Sequence, residues 1–496
     1  MAAPLPIHYT PASAPIKFGT DGWRGVIASD FTFERLLRVV PYAAQALQEA
    51  YGSVGDSQGS NTIVVGYDRR FLSEEFAQAT AMAASAAGFE VLLADCYAPT
   101  PAFSWAVKQY NALGALVITA SHNPGSYSGL KVKGAFGGSV PPSITQRIEA
   151  LIQAAAPAVN PNANGIGTVT SFNPWPDYCR VLSSKVDLEP IRQAMASGQL
   201  TVFVDAMYGA TAGGLQQILG SAVKELNGIR DPLFGGGAPE PIARYLQGSM
   251  QTLNAYGQTL GPDQQAVCLV FDGDGDRISA IDRQGNFLSA QMLIPILMEH
   301  LASRRGMSGE VIKSISSSDL IPLVAKLYNL PLQETPIGFK YIADRMMESG
   351  SALLGGEESG GIGYGNHIPE RDGLLSALYL LEAMAASGAD LSELYQGLQT
   401  KANYTSVYDR IDLPLASEAV RDKLQAQLLS QPPTEIMGKA VVKVLAIDGY
   451  KFSLADQSWL LIRFSGTEPL LRLYCEAATL TQVEQTLQWA KRWAES

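Results

Sequence analysis

The sequence predicts an α/β protein that ends in a smaller α+β domain. Short apolar, β-rich runs alternate with longer helical stretches through most of the chain, the pattern of strands and crossover helices. One run, Gly-Ala-Leu-Val-Ile-Thr at 114–119, is apolar almost throughout, as strands are in sheets covered on both faces. Near 404–412 the pattern changes to closely spaced strand candidates followed by one amphipathic helix.

The first unit reads as a strand at 62–68, an Ala-rich helix at 74–87, a strand at 90–95, a helix at 101–110 and the apolar strand at 114–119. The stretches 157–161 and 162–167, rich in Pro, Asn and Gly, read as surface turns or an insertion. Strand candidates at 200–204 and 266–271 each run into an acidic residue. Open α/β sheets place ligands in loops at such strand ends. Residues 284–286 form a turn after an alternating strand, and the apolar stretch 374–386, interrupted by Ser376 and Glu382, reads as a buried helix. Strands at 441–447, 459–464 and 471–476 and a helix from Thr481 make up the terminal domain.

Composition bounds the function. The 496 residues suggest about three to four domains. With 47% hydrophobic and 17% charged residues, the chain can bury cores and is not broadly disordered. A net charge of −11 excludes a general nucleic-acid coat, which needs clustered Lys and Arg. It leaves room for a small anionic substrate, because local cations outweigh distant charge. Cys96, Cys179, Cys268 and Cys475 lie far apart with no Cys-x-x-Cys pair, so buried, reduced thiols are expected. The N-terminus has no basic region followed by an apolar core, and no apolar run approaches the ~18 residues of a membrane span. A soluble, cytoplasmic protein is expected, with no nucleic-acid or membrane partner; the sequence carries no signal of oligomeric state.

Five clusters carry chemistry. In Lys-Phe-Gly-Thr-Asp-Gly-Trp-Arg-Gly at 17–25, glycines frame Arg24, which suits close backbone approach and a guanidinium grip, or a plain turn with a surface arginine. In Thr-Ala-Ser-His-Asn-Pro at 119–124, Ser121 sits beyond a strand end beside His122, with Lys131 ten residues on. The plain alternative is an Asn-Pro turn with a capping serine. A Ser-His-Asp triad lacks the Gly-x-Ser-x-Gly elbow. In Asp-Gly-Asp-Gly-Asp-Arg at 272–277, three alternate carboxylates repel unless they converge on a hard divalent cation. An EF-hand is excluded, because Arg283 stands at the twelfth position and a strand precedes the loop. In Gly-Gly-Glu-Glu-Ser-Gly-Gly at 355–361, Glu357 and Ser359 face one side if the loop is extended, and suit sugar hydroxyls, which both donate and accept. Arg371 follows in the stretch 367–373 as a phosphate or acid–base neighbour. In Arg-Phe-Ser-Gly-Thr-Glu at 463–468, an arginine, two hydroxyls and turn amides suit phosphate, without the Gly-Lys-Ser/Thr ending of a P-loop.

In order and spacing these clusters resemble the α-D-phosphohexomutase superfamily of phosphoglucomutases, phosphomannomutases and phosphoglucosamine mutases, from Lys17 to Glu476. The resemblance implies four domains around a central cleft, three of mixed α/β fold and a smaller α+β one, here at 1–185, 186–288, 289–405 and 406–496. It implies that Ser121 is the phosphoserine, that Asp272, Asp274 and Asp276 bind Mg²⁺ with the Ser121 phosphate, and that Arg24, Lys131 and Arg277 surround the transferring group, with Lys131 a general acid/base. Glu357 and Ser359 then read sugar hydroxyls, Arg463, Ser465, Gly466 and Thr467 hold the non-reacting phosphate, and Lys313 adds a cation near the cleft. Mannose-type members carry Gly-Glu-Met-Ser-Gly-His in the sugar loop, whereas Glu358 and Gly361 stand here. That form resembles glucose-preferring members, so the expected reaction interconverts glucose 1-phosphate and glucose 6-phosphate through glucose 1,6-bisphosphate, which serves as intermediate and activator. Arg371 is the nominee for the acid–base role of the missing His. The alternatives are a glucose 1,6-bisphosphate synthase, a phosphomannomutase or a non-catalytic sugar-phosphate sensor.

Overall fold

The computed structural model describes residues 11, 14–19, 21–155, 165–464 and 470–495. Four sheets follow one another along the chain. The first has six strands in the order Trp23–Val26, Tyr127–Gly134, Gly114–Ile118, Thr62–Tyr67, Glu90–Ala94 and Val169–Phe172. Thr62–Tyr67 runs parallel to both of its neighbours, and Tyr127–Gly134 turns back antiparallel on Gly114–Ile118. Gly114–Ile118 is buried at every position, as its apolar sequence requires. The helix Ser73–Ala86 and the helix Thr100–Gln109 pack on this sheet, with ends within a residue or two of those the sequence pattern predicts.

The second sheet has the order Phe287–Leu288, Ile278–Ile281, Gln265–Phe271, Leu200–Asp205, Lys224–Leu226, and the third Leu332–Thr335, Glu310–Ser314, Ala352–Gly356, Ile362–Tyr364. The second combines parallel pairs with two antiparallel ones, 265–271 with 278–281 and 278–281 with 287–288, and the third combines parallel pairs with one antiparallel hairpin. The three hairpins, 114–118 with 127–134, 265–271 with 278–281 and 352–356 with 362–364, place their connecting loops alike. Those loops carry Ser121, the aspartate triad and Glu357. Three domains thus present one motif each from the same place in a repeated design.

The fourth sheet is antiparallel, in the order Val407–Pro414, Leu470–Ala477, Trp459–Phe464, Tyr450–Leu454, Lys439–Leu445, Glu435–Ile436. The strands Val407–Pro414 and Tyr450–Leu454 were not expected; Asp409, Arg410 and Asp412 interrupt the apolar run in the first, and Lys451 and Ser453 alternate with the apolar residues of the short second. The helix Leu480–Glu495 covers the sheet with Val483, Leu487, Ala490 and Ala494, one face at helical spacing.

One hydrophobic cluster runs from Ile16 to Tyr404 through the first three domains, while the terminal domain keeps its own, from Leu424 to Ala494. Among the described residues no single helix is long and apolar enough to cross a membrane. The apolar helix Gly373–Ser387 is buried through most of its length.

Candidate active site

Ser121 lies in the first hairpin loop, buried, with φ +52°, a left-handed conformation rare for residues with a side chain. Arg70 holds it there. The five N–H groups of this buried guanidinium meet five acceptors: Nε donates to Asp68 Oδ2 (3.1 Å), Nη1 to the carbonyls of Pro124 (2.8 Å) and Tyr127 (3.0 Å), and Nη2 to those of Ser121 (2.6 Å) and Asn123 (2.7 Å). The Phe234 ring lies 4.8 Å from the guanidinium carbon, and Arg230 of the second domain donates to the Arg69 and Arg70 carbonyls. A strained loop persists only where its surroundings over-determine it, and these contacts do so.

Ser121 Oγ donates to Asp272 Oδ2 at 2.9 Å and lies 3.3 Å from His122 Nδ1. Carboxylate oxygens of Asp272, Asp274 and Asp276, all buried, lie within 4.8 Å of one another. Asp274 Oδ1 and Asp276 Oδ1 are buried without a hydrogen-bond partner. Burial, then the Asp276 and Asp274 charges, push Asp272 well above the usual carboxylate range. An all-oxygen set with orphaned carboxylate atoms and excess negative charge fits a hard divalent cation such as Mg²⁺.

Lys131 lies on the returning strand of the same hairpin, with Nζ 2.7 Å from Asp274 Oδ2 and 2.8 Å from Asp276 Oδ2 and Asp21 Oδ2. Burial alone would lower its ammonium, but the Asp21, Asp274 and Asp276 carboxylates outweigh it and raise it well above its ordinary value. Arg24 Nη1 donates to Asn123 Oδ1 at 2.6 Å. The Arg277 amide donates to Asp272 Oδ1 (3.1 Å), and the residue forms a bridge with Gly361 of the third domain. Arg277, then burial, holds His122 well below its ordinary value, so that ring is neutral at pH 7.

The sugar-loop candidate is a tight turn, so the condition of an extended loop is not met. The Glu357 amide donates to the Gly361 carbonyl (3.0 Å) and the Gly360 amide to that of Glu357 (3.2 Å). Buried Glu357 accepts from the Gly338 amide at 2.9 Å, and burial pushes its carboxyl up to about 7. Ser359 is half-buried, and Glu358 accepts from Ser314 (3.1 Å) and Ser316 (2.5 Å). Arg371 reaches the acidic centre directly: its Nη2 lies 2.7 Å from Asp21 Oδ2 and from Asp276 Oδ2. Its path crosses Gly361, where an added Cβ would stand 2.3 Å from Arg371 Cδ. A side chain at 361 and this placement of Arg371 exclude each other.

With that geometry, the sequence matches the phosphoglucomutase/phosphomannomutase description domain by domain: alpha/beta/alpha domain I over residues 15–158, domain II over 176–285, domain III over 290–402 and the C-terminal domain over 412–488. It is 30% identical over 470 residues to a Methanothermobacter thermautotrophicus protein described as a probable phosphoglucosamine mutase, covering 94% of each chain. The chain belongs to the phosphoglucomutase/phosphomannomutase family. It is therefore an α-D-phosphohexomutase superfamily member, an enzyme of the phosphotransferase/mutase type. It is also 29% identical over 476 residues to a phosphoglucomutase/phosphomannomutase of Thermococcus kodakarensis, covering 95% of this chain and 96% of that one. A solved structure from Thermus thermophilus, assigned as a phosphomannomutase, superimposes with TM-score 0.82 at 32% identity, covering 97% of this chain and 100% of that one.

In this phosphohexomutase the first three domains gather Ser121, His122, Arg24, Lys131, the aspartates, Arg277, Glu357 and Arg371. Lys313 does not join them. It is fully buried on its strand, with Nζ 3.2 Å from Asp319 Oδ1 and 3.1 Å from Glu334 Oε1. Asp319 in turn binds Lys451 of the terminal domain at 2.7 Å. This cation, neutralised by two carboxylates, lies at the contact between the third and fourth domains. Ser465, Gly466 and Thr467 lie outside the described residues; Arg463 is described, with Nε 2.9 Å from Asp448 Oδ2.

Sequence reading left four participants unassigned. Asp21 meets Lys131 and Arg371, and Lys133 Nζ reaches Glu370 Oε2 (2.5 Å) and Ser139 Oγ (2.8 Å). Thr100 Oγ1 donates to Asp274 Oδ2 at 2.6 Å. Arg70 is the fourth. Its signal was present as Asp-Arg-Arg at 68–70, directly after a strand, where charged residues are either solvated or site-bound.

Proposed function

We propose that this phosphohexomutase is a phosphoglucomutase that interconverts glucose 1-phosphate and glucose 6-phosphate through a phosphoserine at Ser121 and a glucose 1,6-bisphosphate intermediate. The observation that carries the reading is Ser121 Oγ at 2.9 Å from Asp272 Oδ2, within a buried carboxylate triad that has unpartnered oxygens. The Glu357-Glu358-Ser359 form of the loop, which resembles that of glucose-preferring members, supports glucose as the sugar. The working domain limits are 1–185, 186–288, 289–405 and 406–496.

In the first half-reaction the Ser121 Oγ–P bond breaks as a P–O bond forms to the free sugar hydroxyl. Phosphoryl and proton travel in opposite directions, so the hydroxyl's proton ends on Ser121 Oγ. Lys131, beside the acidic centre, is the group proposed to carry it. Arg24, Arg277 and Arg371 offset charge around the transferring group, which is most of what phosphoryl transfer asks of a protein. Asp272, Asp274 and Asp276 would hold Mg²⁺, which supplies charge neutralisation at the phosphoryl oxygens. Glu357 and Ser359 orient the sugar, and Arg463 with Ser465, Gly466 and Thr467 grips the phosphate that does not react. The bisphosphate then turns over and returns its other phosphoryl group to Ser121.

A panel of glucose, mannose and glucosamine phosphates, with and without added glucose 1,6-bisphosphate, tests the reading. A phosphoglucomutase gives net glucose phosphate isomerisation with the highest kcat/KM of the three sugars. Preference for glucosamine or mannose phosphates reassigns the substrate. Bisphosphate production without net isomerisation under either condition reassigns the reaction to bisphosphate synthesis.

A further inference from the structure

A chain of contacts through the turn 336–339 joins the terminal domain to the sugar loop. Asp448 Oδ2 accepts two hydrogen bonds, one from Arg463 Nε at 2.9 Å and one from the backbone amide of Ile337 at 3.0 Å. The next amide, that of Gly338, donates to Glu357 Oε1 at 2.9 Å. Phe339 follows, and its ring lies 5.7 Å from the Arg371 guanidinium carbon. Three consecutive residues therefore touch the phosphate-loop arginine's partner, the sugar-loop carboxylate and the arginine of the acidic centre.

Gly338 makes this divergence possible. Its φ of +130° lies where residues with side chains are strained, and it lets successive amides point to different domains. The surroundings are packed: Ile315, Trp459, Leu461 and Tyr474 are fully buried at the same junction, with Ile337 against them. The turn is thus a firm link between an arginine on the fourth domain and a carboxylate on the third.

We propose that Asp448 is a positioning residue, which fixes Arg463 against the 336–339 turn and so couples phosphate gripping by the terminal domain to the placement of Glu357. The inference rests on the mutase reading for its kinetics and on geometry for the link itself. A carboxylate shared by a guanidinium and an amide makes two charge-assisted bonds. Losing it frees a long side chain whose reach sets where the phosphate is held, and small misplacements at such contacts carry large kinetic penalties.

The test uses the full chain. Asp448→Ala is expected to raise the KM for glucose 1-phosphate about tenfold, with kcat changed by less than about threefold. Arg463→Ala should raise KM at least as much, and the double substitution should be no worse than Arg463→Ala alone, because both remove one link. Hydrogen–deuterium exchange of the peptide spanning 333–342 should rise in Asp448→Ala and stay at the wild-type level in Arg463→Ala, where the Ile337 bond survives. Asp448→Asn keeps one acceptor oxygen and should fall between; it carries both readouts should the alanine variant fail to fold. An unchanged KM, multiplicative effects in the double variant, or unchanged exchange in Asp448→Ala would overturn the proposal. If the wild type isomerises no hexose phosphate, the mutase reading fails by itself, and the exchange result alone decides the link.

Discussion

The first three domains and the fourth solve different problems with different packing. The first three share one apolar cluster from Ile16 to Tyr404 and meet in a dense ionic centre of Asp21, Lys131, Asp274, Asp276 and Arg371. The fourth has a separate core and meets the third through a small apolar junction and a few polar links, among them Asp319 to Lys451, Asp448 to Ile337, and Glu476, which accepts from the Asp319 amide at 2.9 Å. Reacting atoms need fixed geometry, whereas a clamp that must serve two orientations of a bisphosphate benefits from a domain able to move. The contrast teaches that rigidity is placed where phosphoryl transfer is proposed and modest coupling where a phosphate is proposed to be gripped.

The largest expected effect belongs to the rigid block. Ser121→Ala should lower turnover by more than about 10³-fold and remove the phosphate from the intact-protein mass spectrum. Undiminished turnover would end the phosphoserine mechanism and with it the role given to the block. The separate cores predict separate unfolding. Leu473→Ala, in the core of the fourth domain, should destabilise one step of urea unfolding by about 2–5 kcal/mol and leave the other in place; a shift of a single common transition would erase the distinction. Asp274→Asn should cost about 10²-fold in kcat and abolish the response to added Mg²⁺ in the same assay.

Arg70→Lys sharpens the comparison further. An ammonium keeps the charge but cannot satisfy four carbonyls and a carboxylate in a fork. A fall of about tenfold in kcat is expected, with KM nearly unchanged, the reverse of the split expected for Asp448. The smallest effect concerns pH. Burial places Glu357 at about 7, against an ordinary 4.5, so the folded chain holds a proton that the unfolded chain has lost between those values. Stability therefore falls as pH rises through this window. Glu357→Gln should flatten that slope in melting curves recorded from pH 4.5 to 7.5; an unchanged slope would place Glu357 in a wetter site than its burial implies.

Much of the site was legible because its chemistry sits in short motifs after strands. The run 114–119 announced a buried strand, and the acidic residues beyond 266–271 announced a loop with charge to neutralise. Residues acting at long range were not legible. Arg70 meets Ser121 across 51 positions and Arg371 meets Asp21 across 350; neither spacing leaves a local pattern. Lys313, placed near the cleft by resemblance alone, has Asp319 and Glu334 as partners that no local pattern announces. The glycine-rich 355–361 motif was legible as a loop but its tight turn was not, since the closing bonds run between backbone atoms that any sequence carries.

By itself, then, the sequence determined the fold class, the strand-to-loop placement of Ser121 and the aspartates, and the charge contrast between an acidic chain and cationic site residues. These follow from periodicity and local chemistry, which are written in neighbouring residues. Tertiary structure alone decided that Arg371 passes over Gly361 into the acidic centre, that Arg70 stitches the serine loop, and that the turn 336–339 ties the fourth domain to the sugar loop. Each depends on side chains from distant segments sharing a few ångströms of buried space, and burial is what makes such contacts strong and selective.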